Sequence, residues 1–338
     1  MVKFDYSIFI GRFQPFHNAH LALLRRALEL ADNTIVIIGS HNQAVNTKNP
    51  WTSEERERMI RGSLTDTENK RVKVIYMRDS LYNENIWITS LQEKIKTSVS
   101  DTDSVVLVGC DYDKSSYYLR LFPQWEVDLV QNMDEHPRAT EVRNAFFSFD
   151  GDWGSHVPAS TRSFLSDFKW TEICAKLREE FDFLADYKAK WDSAPFAPTF
   201  ITTDAVVIKS GHVLVVRRGG KLGKGLIALP GGFLNPYEKI EDGMLRELKE
   251  ESRIKLPKAH LRSAIKANRV FDHPERSLRG RTITHAYLLD LGSGDLPKVR
   301  GGDDADKAWW MPLSEFMTRE HEFFEDHWHI ISFFILKF

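Results

Sequence analysis

Apolar residues arrive along the first half of the chain in short runs separated by amphipathic stretches. The run Tyr6 to Ile10 stops at Gly11 and Pro15, and a helical pattern follows from His20 to Leu30, with Leu21, Leu24, Ala27 and Leu28 at helical spacing. A second apolar run, Thr34 to Ile38, ends at Gly39 and Ser40. Strand, helix and strand in this order predict a parallel pair joined by a right-handed crossover. The pattern then repeats. Thr52-Ser53-Glu54-Glu55 opens a helix through Met59 and Ile60, with Glu55 placed to close a capping box on Thr52. Val72 to Tyr76 reads as a strand, Ile86 to Ile95 as a helix, Val105 to Val108 as a strand closed by Gly109, and Trp125 to Val130 as a further strand. Thr140 starts another helix. This alternation predicts a doubly wound α/β domain with a parallel sheet.

From Ser160 to Lys190 the pattern is helical and amphipathic, and it gives way to Ser193-Ala194-Pro195-Phe196-Ala197-Pro198. Prolines among small residues predict a linker, so the expected division is 1–190, a linker over 191–198, and a second domain over 199–338. There the texture changes. Phe200 to Lys209, Val213 to Arg217 and Thr282 to Leu289 read as strands, Tyr237 to Glu251 as one strong helix, and Ile330 to Leu336 as a short terminal helix. Strands clustered around one marked helix predict an α+β domain. No internal repeat or low-complexity tract interrupts the pattern.

A length of 338 residues accords with two domains, and 42% hydrophobic with 28% charged residues suits ordinary cores. With 46 basic against 48 acidic residues the net charge is −2, which offers no long-range attraction to nucleic acid or an anionic membrane. Expected partners are therefore small molecules, with homo-oligomerisation left open. Cys110 and Cys174 belong to no metal-spaced pair and read as reduced thiols. Lys3 and Asp5 precede the first apolar run, which argues against a signal peptide. No apolar run approaches the roughly 20 residues of a membrane span. The expected location is the cytoplasm.

The string Gly11-Arg12-Phe13-Gln14-Pro15-Phe16-His17-Asn18-Ala19-His20 sits at the carboxyl end of the first predicted strand, where ligands bind in open α/β sheets. His17 and His20 at a helix N-terminus suit a phosphate, because phosphoryl transfer needs positioned donors more than covalent help. Surface histidines or half a zinc site are the plainer readings, but no second Cys/His pair at metal spacing supports zinc. The string resembles the nucleotidyltransferase superfamily mark, Gly-x-Phe-x-Pro-x-His-x-Gly-His, at Gly11, Phe13, Pro15, His17 and His20, and departs from it at Ala19. Asn49-Pro50-Trp51-Thr52-Ser53-Glu54-Glu55-Arg56, Gly109-Cys110-Asp111 and Thr140-Glu141-Val142-Arg143 resemble archaeal-type nicotinamide-mononucleotide adenylyltransferases. That resemblance implies a Rossmann-like nucleotidyltransferase domain that binds ATP and nicotinamide mononucleotide through Gly11, Arg12, Phe13, Gly109, Asp111, Thr140 and Arg143. Arg143 would hold the ATP phosphates, although Arg138 and Ala139 replace the usual serine and glycine before it. Trp87 falls where the family stacks an aromatic ring on nicotinamide, and an indole face suits a flat cationic ring. Read alone, Trp87 is more often a core residue.

The run from Gly232 through Glu238 to Arg246-Glu247-Leu248-Lys249-Glu250-Glu251 is the stronger chemical signal. Glu247, Glu250 and Glu251 stand at i, i+3 and i+4, so their carboxylates share one helix face and repel one another. Divalent cations offset that repulsion, and hard oxygen ligands suit Mg²⁺ or Mn²⁺. The run resembles the Nudix box. The resemblance implies that Glu247, Glu250 and Glu251 are catalytic metal ligands, Glu238 a supporting carboxylate and Arg246 the residue orienting them. One departure stands out: Arg253 replaces the glycine two residues after the last glutamate, where a helix end is often left-handed. Phe271-Asp272 and Ser277-Leu278-Arg279-Gly280-Arg281-Thr282 look like segments of fused adenylyltransferase–Nudix proteins that cleave ADP-ribose. Arg279 and Arg281 either bind phosphate or solvate a loop. The catalytic base of related hydrolases comes from a later loop, and Asp303, Asp304 and Asp306 lie in one.

Together the two halves are similar to the bifunctional adenylyltransferase/ADP-ribose pyrophosphatase family. The resemblance implies synthesis of NAD from ATP and nicotinamide mononucleotide, and hydrolysis of ADP-ribose to AMP and ribose 5-phosphate. Two alternatives stay open: a different phosphate acceptor for the first half, and a second half that senses ADP-ribose or cleaves another nucleoside diphosphate derivative.

Overall fold

The computed structural model describes residues 3–110, 114–131, 137–149 and 151–336. The chain forms two compact units, Met1–Arg178 and Glu179–Phe338. In the first, the elements run β1 (Phe4–Gly11), α1 (Asn18–Leu30), β2 (Ala31–Ile38), α2 (Ser53–Arg61), α3 (Asp66–Lys70), β3 (Val72–Tyr76), α4 (Glu84–Lys96), β4 (Val105–Gly109), β5 (Glu126–Leu129), α5 (Ala139–Ser148), α6 (Ala159–Phe168) and α7 (Glu172–Ala189). The sheet order is β3-β2-β1-β4-β5, with every pair parallel, as in the register Ile8↔Ile35 and Ile8↔Leu107.

Both faces of this sheet are covered, which is why its strands read as continuous apolar runs instead of alternating ones. Val105 and Leu107 of β4 pack with Leu91 and Ile95 of α4 on one face. Val106 and Val108 pack with Ala27 and Leu30 of α1 on the other. The capping box of α2 forms as the sequence predicts: Thr52 N–H donates to Glu55 Oε2 at 2.8 Å, and Glu55 N–H donates to Thr52 Oγ1 at 3.2 Å. Because β1 is flanked by β2 and β4, the chain reverses direction around it. The loop after β1 therefore emerges at the topological switch point.

The second unit contains β6 (Phe200–Lys209), β7 (His212–Arg218), β8 (Ile227–Ala228), β9 (Gly231–Phe233), α8 (Ile240–Ser252), α9 (Lys258–Ser263), β10 (Ile265–Phe271), β11 (Thr282–Asp290), β12 (Ala305–Pro312), α10 (Leu313–Phe316) and α11 (His327–Ile335). Its sheet runs β10-β11-β6-β7-β12, with β8 on β7 and β9 on β6. Only β11 and β6 are parallel, so the sheet is mixed. Met244, Leu245 and Leu248 dock α8 onto Ala205, Val207, Leu214 and Leu289 of the sheet.

The division between units falls within α7, ahead of the proline-bearing stretch where the sequence pattern places it. Leu184 packs with Val216, Leu222 and Phe324, and Glu180 accepts a hydrogen bond from Gly223 N–H at 2.7 Å. Among the described residues, no helix is long and apolar enough to cross a membrane.

Gly109 closes β4, and a Cβ there would meet the Leu119 methyls at 2.7 and 2.9 Å. Gly109→Ala is expected to destabilise the first unit by about 1–3 kcal/mol through overpacking. Chemical denaturation measures this, and an unchanged midpoint would show that Leu119 yields freely.

Candidate active sites

The loop between β1 and α1 is held from several sides. Gln14 is buried and bridges Trp51 twice, its Nε2 donating to Trp51 O at 2.9 Å and its Oε1 accepting from Trp51 N–H at 3.2 Å. Arg56 donates from Nη1 to the carbonyls of Arg12 and Gly39, at 2.6 and 2.7 Å, and from Nη2 to Ser40 O and Ser53 Oγ, at 3.2 and 3.0 Å. One guanidinium thus ties the ends of β1 and β2 together. Burial lowers the Arg56 pKa to about 10, which still leaves a cation at neutral pH.

His17 caps α1, and its ring stacks on that of His20 with centroids 3.6 Å apart. His17 N–H donates to His20 Nδ1 at 3.3 Å, so a neutral His20 carries its proton on Nε2. Phe13 meets the His20 ring edge-on at 5.0 Å, and Phe16 stacks on it at 5.8 Å. In this aromatic setting burial, reinforced by His17, holds the His20 pKa well below 6.5. The residue as a whole is half-buried. It is an uncharged donor at neutral pH.

Arg143 reaches the same loop from α5, donating from Nη1 to Gln14 O and from Nη2 to Thr140 Oγ1 at 3.2 Å. Fold therefore brings Thr140 and Arg143 beside the histidine string. Arg12 is exposed at the loop's rim. At Gly11 a Cβ would lie 2.7 Å from the Phe13 ring, so the glycine makes room for Phe13. Phe13 itself is buried in the left-handed region, at φ 53°. Ala19, where the superfamily has glycine, is buried in α1. Trp87 is half-buried against the core, its ring 6.1 Å from that of Phe122. Asp111 lies outside the described residues.

In the second unit Arg246 is the hub. It donates to Glu238 through Nε and Nη2, each at 2.9 Å, and through Nη1 to Glu247 Oε1 at 2.7 Å and Glu250 Oε2 at 2.9 Å. Its Nη2 also reaches Phe233 O at 3.2 Å. The hydrogen bonds from Arg246 hold the Glu238 carboxyl below its ordinary pKa. Glu251 instead accepts from Gly231 N–H at 3.0 Å. A Cβ on Gly232 would stand 2.6 Å from Glu247 Oε1, so this glycine lets the carboxylate approach β9.

Burial raises the pKa of Glu247, with Glu250 and Asp303 adding to the effect. Glu251 is pushed up to about 8, again by burial first and then by Glu247. Among the described residues, no three His, Cys, Asp or Glu side chains converge as a metal-ligand set. The donor chemistry nonetheless fits a divalent cation: desolvated carboxylates on one helix face favour added positive charge, which Arg246 supplies only in part.

Of the remaining candidates, Phe271 is fully buried against Phe333 and Phe334, so its ring supports the fold. Arg281 is tied to the carbonyl of Asp272 in its own loop. The Arg279 guanidinium lies 5.1 Å from the centre of the Phe233 ring. The aspartates separate: Asp306 lies in β12 and not in the loop, beside Gly219, while Asp303 is within electrostatic reach of Glu247. Its place in β12 follows from the pairing of Ala305 with Arg218 across a register shift.

Residues 8–145 match the cytidylyltransferase-like family, and residues 198–334 match the NUDIX domain. A nicotinamide/nicotinic acid mononucleotide adenylyltransferase from Acinetobacter baylyi is 35% identical over 182 residues, covering 54% of this chain and 95% of its own. An ADP-ribose pyrophosphatase from Methanocaldococcus jannaschii is 32% identical over 124 residues, 36% of this chain and 68% of its own. The crystal structure of a bifunctional NMN adenylyltransferase/ADP ribose pyrophosphatase from Francisella tularensis, complexed with AMP and a Mn ion, covers 99% of both chains at 36% identity and a TM-score of 0.93. This chain belongs to the bifunctional NMN adenylyltransferase/ADP-ribose pyrophosphatase family.

For a member of this family the Arg253 departure has a visible outcome. The helix end is not shifted: Arg253 takes the left-handed conformation, at φ 47°, and its N–H donates to Lys249 O at 3.0 Å. Gly302 accommodates the larger residue, since a Cβ there would lie 2.4 Å from Arg253 Nε. Sequence reasoning gave Arg56 no role, although a signal existed. The buried face of α2 is Ser53, Arg56, Met59 and Ile60, so an arginine occupies a position where helical spacing calls for an apolar residue.

Arg253→Gly is expected to stabilise the second unit by about 1 kcal/mol, by relieving left-handed strain. A lower denaturation midpoint would mean that the contact with Gly302 outweighs the strain. A pH effect follows from His20 and from His327, which is buried and whose Nδ1 accepts from Leu229 N–H at 2.9 Å. Burial depresses both pKa values in the fold, so below about 6.5 the unfolded chain binds protons that the folded chain does not. Stability is therefore complete above that pH and falls beneath it. Melting curves of His327→Gln should show a shallower acid loss than wild type, and parallel losses would contradict the assignment.

Proposed function

We propose that the first unit transfers the adenylyl group of ATP to nicotinamide mononucleotide, and that the second hydrolyses ADP-ribose with Mg²⁺. The adenylyl reading rests on the stacked His17–His20 pair with Arg143 anchored on the same loop. A phosphate oxygen of the mononucleotide bonds to the α-phosphorus of ATP, and the bond from that phosphorus to the pyrophosphate leaving group breaks. NAD and pyrophosphate result. His20 Nε2–H and the Arg143 guanidinium are donors for the charge that develops on the phosphorus oxygens, and no covalent intermediate is needed.

The hydrolase reading rests on the Arg246 clamp. A divalent cation held by Glu247, Glu250 and Glu251 would acidify water and neutralise phosphate charge. Arg246 and Glu238 keep the glutamate face ordered, and Gly231 N–H holds Glu251. Water adds to one phosphorus, its proton passes to Asp303, and the bridging P–O bond breaks to give AMP and ribose 5-phosphate. Neither Cys110 nor Cys174 is in a disulfide, in keeping with work in the cytoplasm.

Purified protein with Mg²⁺ tests both readings. Glu250→Gln should abolish AMP release from ADP-ribose and spare NAD synthesis. His20→Ala should lower the turnover of NAD synthesis by about 10²-fold, with ATP affinity largely kept. AMP release that survives Glu250→Gln would remove the hydrolase assignment. Faster transfer to another phosphate acceptor, assayed alongside, would remove the mononucleotide.

A further inference from the structure

β6 is flanked by β11 on one side and by β7 and β9 on the other, and its middle stretch, Thr203 to Val207, is buried throughout. Asp204 is the misfit there, because aspartate is depleted in strands and a charge is costly to bury. It is only 3% exposed. Its Oδ2 accepts from Thr284 Oγ1 at 2.5 Å, a buried hydroxyl on β11. Among the described residues, its side chain makes no other hydrogen bond and no ion pair. His327, within electrostatic reach, accepts Leu229 N–H on Nδ1 and is kept uncharged by burial. A buried carboxylate without a cation destabilises a fold, so its presence in a central strand points to a use for the charge.

Gly231 shows where that charge acts. It pairs with Asp204 in the β6–β9 register, and a Cβ on it would lie 2.3 Å from Asp204 Oδ1. The same glycine donates its N–H to Glu251 Oε2 at 3.0 Å. One glycine thus has a carboxylate on either side, and Asp204 is within electrostatic reach of Glu251. Arg246 gives its charge to Glu238, Glu247 and Glu250. Among the described residues, neither Glu251 nor Asp204 has an ion-pair partner. The negative charge at this end of the acidic face is therefore uncompensated by contact.

We infer that Asp204 is a positioning residue of the cation seat: its buried charge, behind Gly231, draws a divalent cation to the Glu251 end of the glutamate face. Asp204 touches neither cation nor substrate and acts through Gly231 and Glu251. A charge shielded from water acts on a divalent ion beyond contact distance with little screening. The inference rests on the hydrolase reading for the presence of the cation and adds a residue from outside the glutamate run.

Titration of the full chain with Mn²⁺, followed by electron paramagnetic resonance without nucleotide, reads the seat directly. Binding by the first unit is common to all variants and cancels in the comparison. Asp204→Asn keeps an acceptor for Thr284 and removes the charge. It should weaken Mn²⁺ binding about tenfold without lowering the melting midpoint in EDTA. A residue with a structural role alone would do the opposite, lowering the midpoint and leaving Mn²⁺ affinity as it was. Thr284→Val removes the hydrogen bond but keeps the charge, and should leave Mn²⁺ affinity nearly unchanged. Asp204→Ser carries the test should the amide not fold. The Mn²⁺ concentration for half-maximal AMP release should rise by the same factor as the dissociation constant. Unaltered Mn²⁺ affinity in a folded Asp204 variant overturns the inference, as does a comparable loss in Thr284→Val. AMP release by wild type beside unaltered affinity in the variant would leave the hydrolase standing and remove the role of Asp204. Mn²⁺ binding that depends on Asp204, without AMP release, would do the reverse.

Discussion

Each unit depends on one arginine whose five hydrogen bonds collect acceptors from separate segments of chain. At the carboxyl ends of β1 and β2 the backbone leaves the sheet, and its carbonyls lose their ladder partners. Buried carbonyls without donors cost on the order of 1–3 kcal/mol each. Arg56 satisfies those of Arg12, Gly39 and Ser40 from the centre, so the loop bearing His17 and His20 is set by a rigid planar fork. Arg246 does the same for carboxylates. A lysine would supply the charge in either place but not the fixed directions, and the geometry of both sites follows from those directions.

The acidic face of α8 shows how such a fork makes an unfavourable helix tolerable. Glu247, Glu250 and Glu251 repel along one face, while Met244, Leu245 and Leu248 bind the opposite face to the sheet. Packing fixes the helix, Arg246 spreads its charge over Glu238, Glu247 and Glu250, Gly232 opens the space into which Glu247 turns, and Gly231 N–H holds Glu251. Arg253 adds left-handed strain at the end of this helix. Gly302 offsets the bulk of its side chain and lies directly before Asp303, so helix end and aspartate loop are fitted to each other.

Much of this was legible in the sequence because the first unit obeys local rules. Its strands are apolar runs closed by glycine, its helices keep their spacing, and the Thr52–Glu55 box caps α2 as written. The second unit was read less fully. β8 and β9 are only two and three residues long, too short for periodicity to register. β10, with the sequence IKANRVF, is largely polar on its exposed positions, and β12 is bent by a register shift beside Asp306. Side-chain roles were harder still. Gly11 and Phe271 belong to motifs that suggest ligand contact, yet one makes room for Phe13 and the other fills the core. Arg56 breaks the apolar spacing of α2, but the carbonyls it serves lie remote in sequence, which no local pattern encodes.

Under the proposed reactions the two units meet one chemical object, a pyrophosphate linkage, with opposite balances of charge. The first must release pyrophosphate after transfer. An imidazolium beside the leaving group would retain it, and burial against Phe13 and Phe16 keeps His20 neutral, able to donate without adding charge. The second must attack a linkage that arrives already anionic at a face of desolvated carboxylates. Arg246 cannot draw it in, because that charge is divided among Glu238, Glu247 and Glu250. A phosphate can approach where positive charge is not already committed, which a divalent cation on the glutamate face would supply.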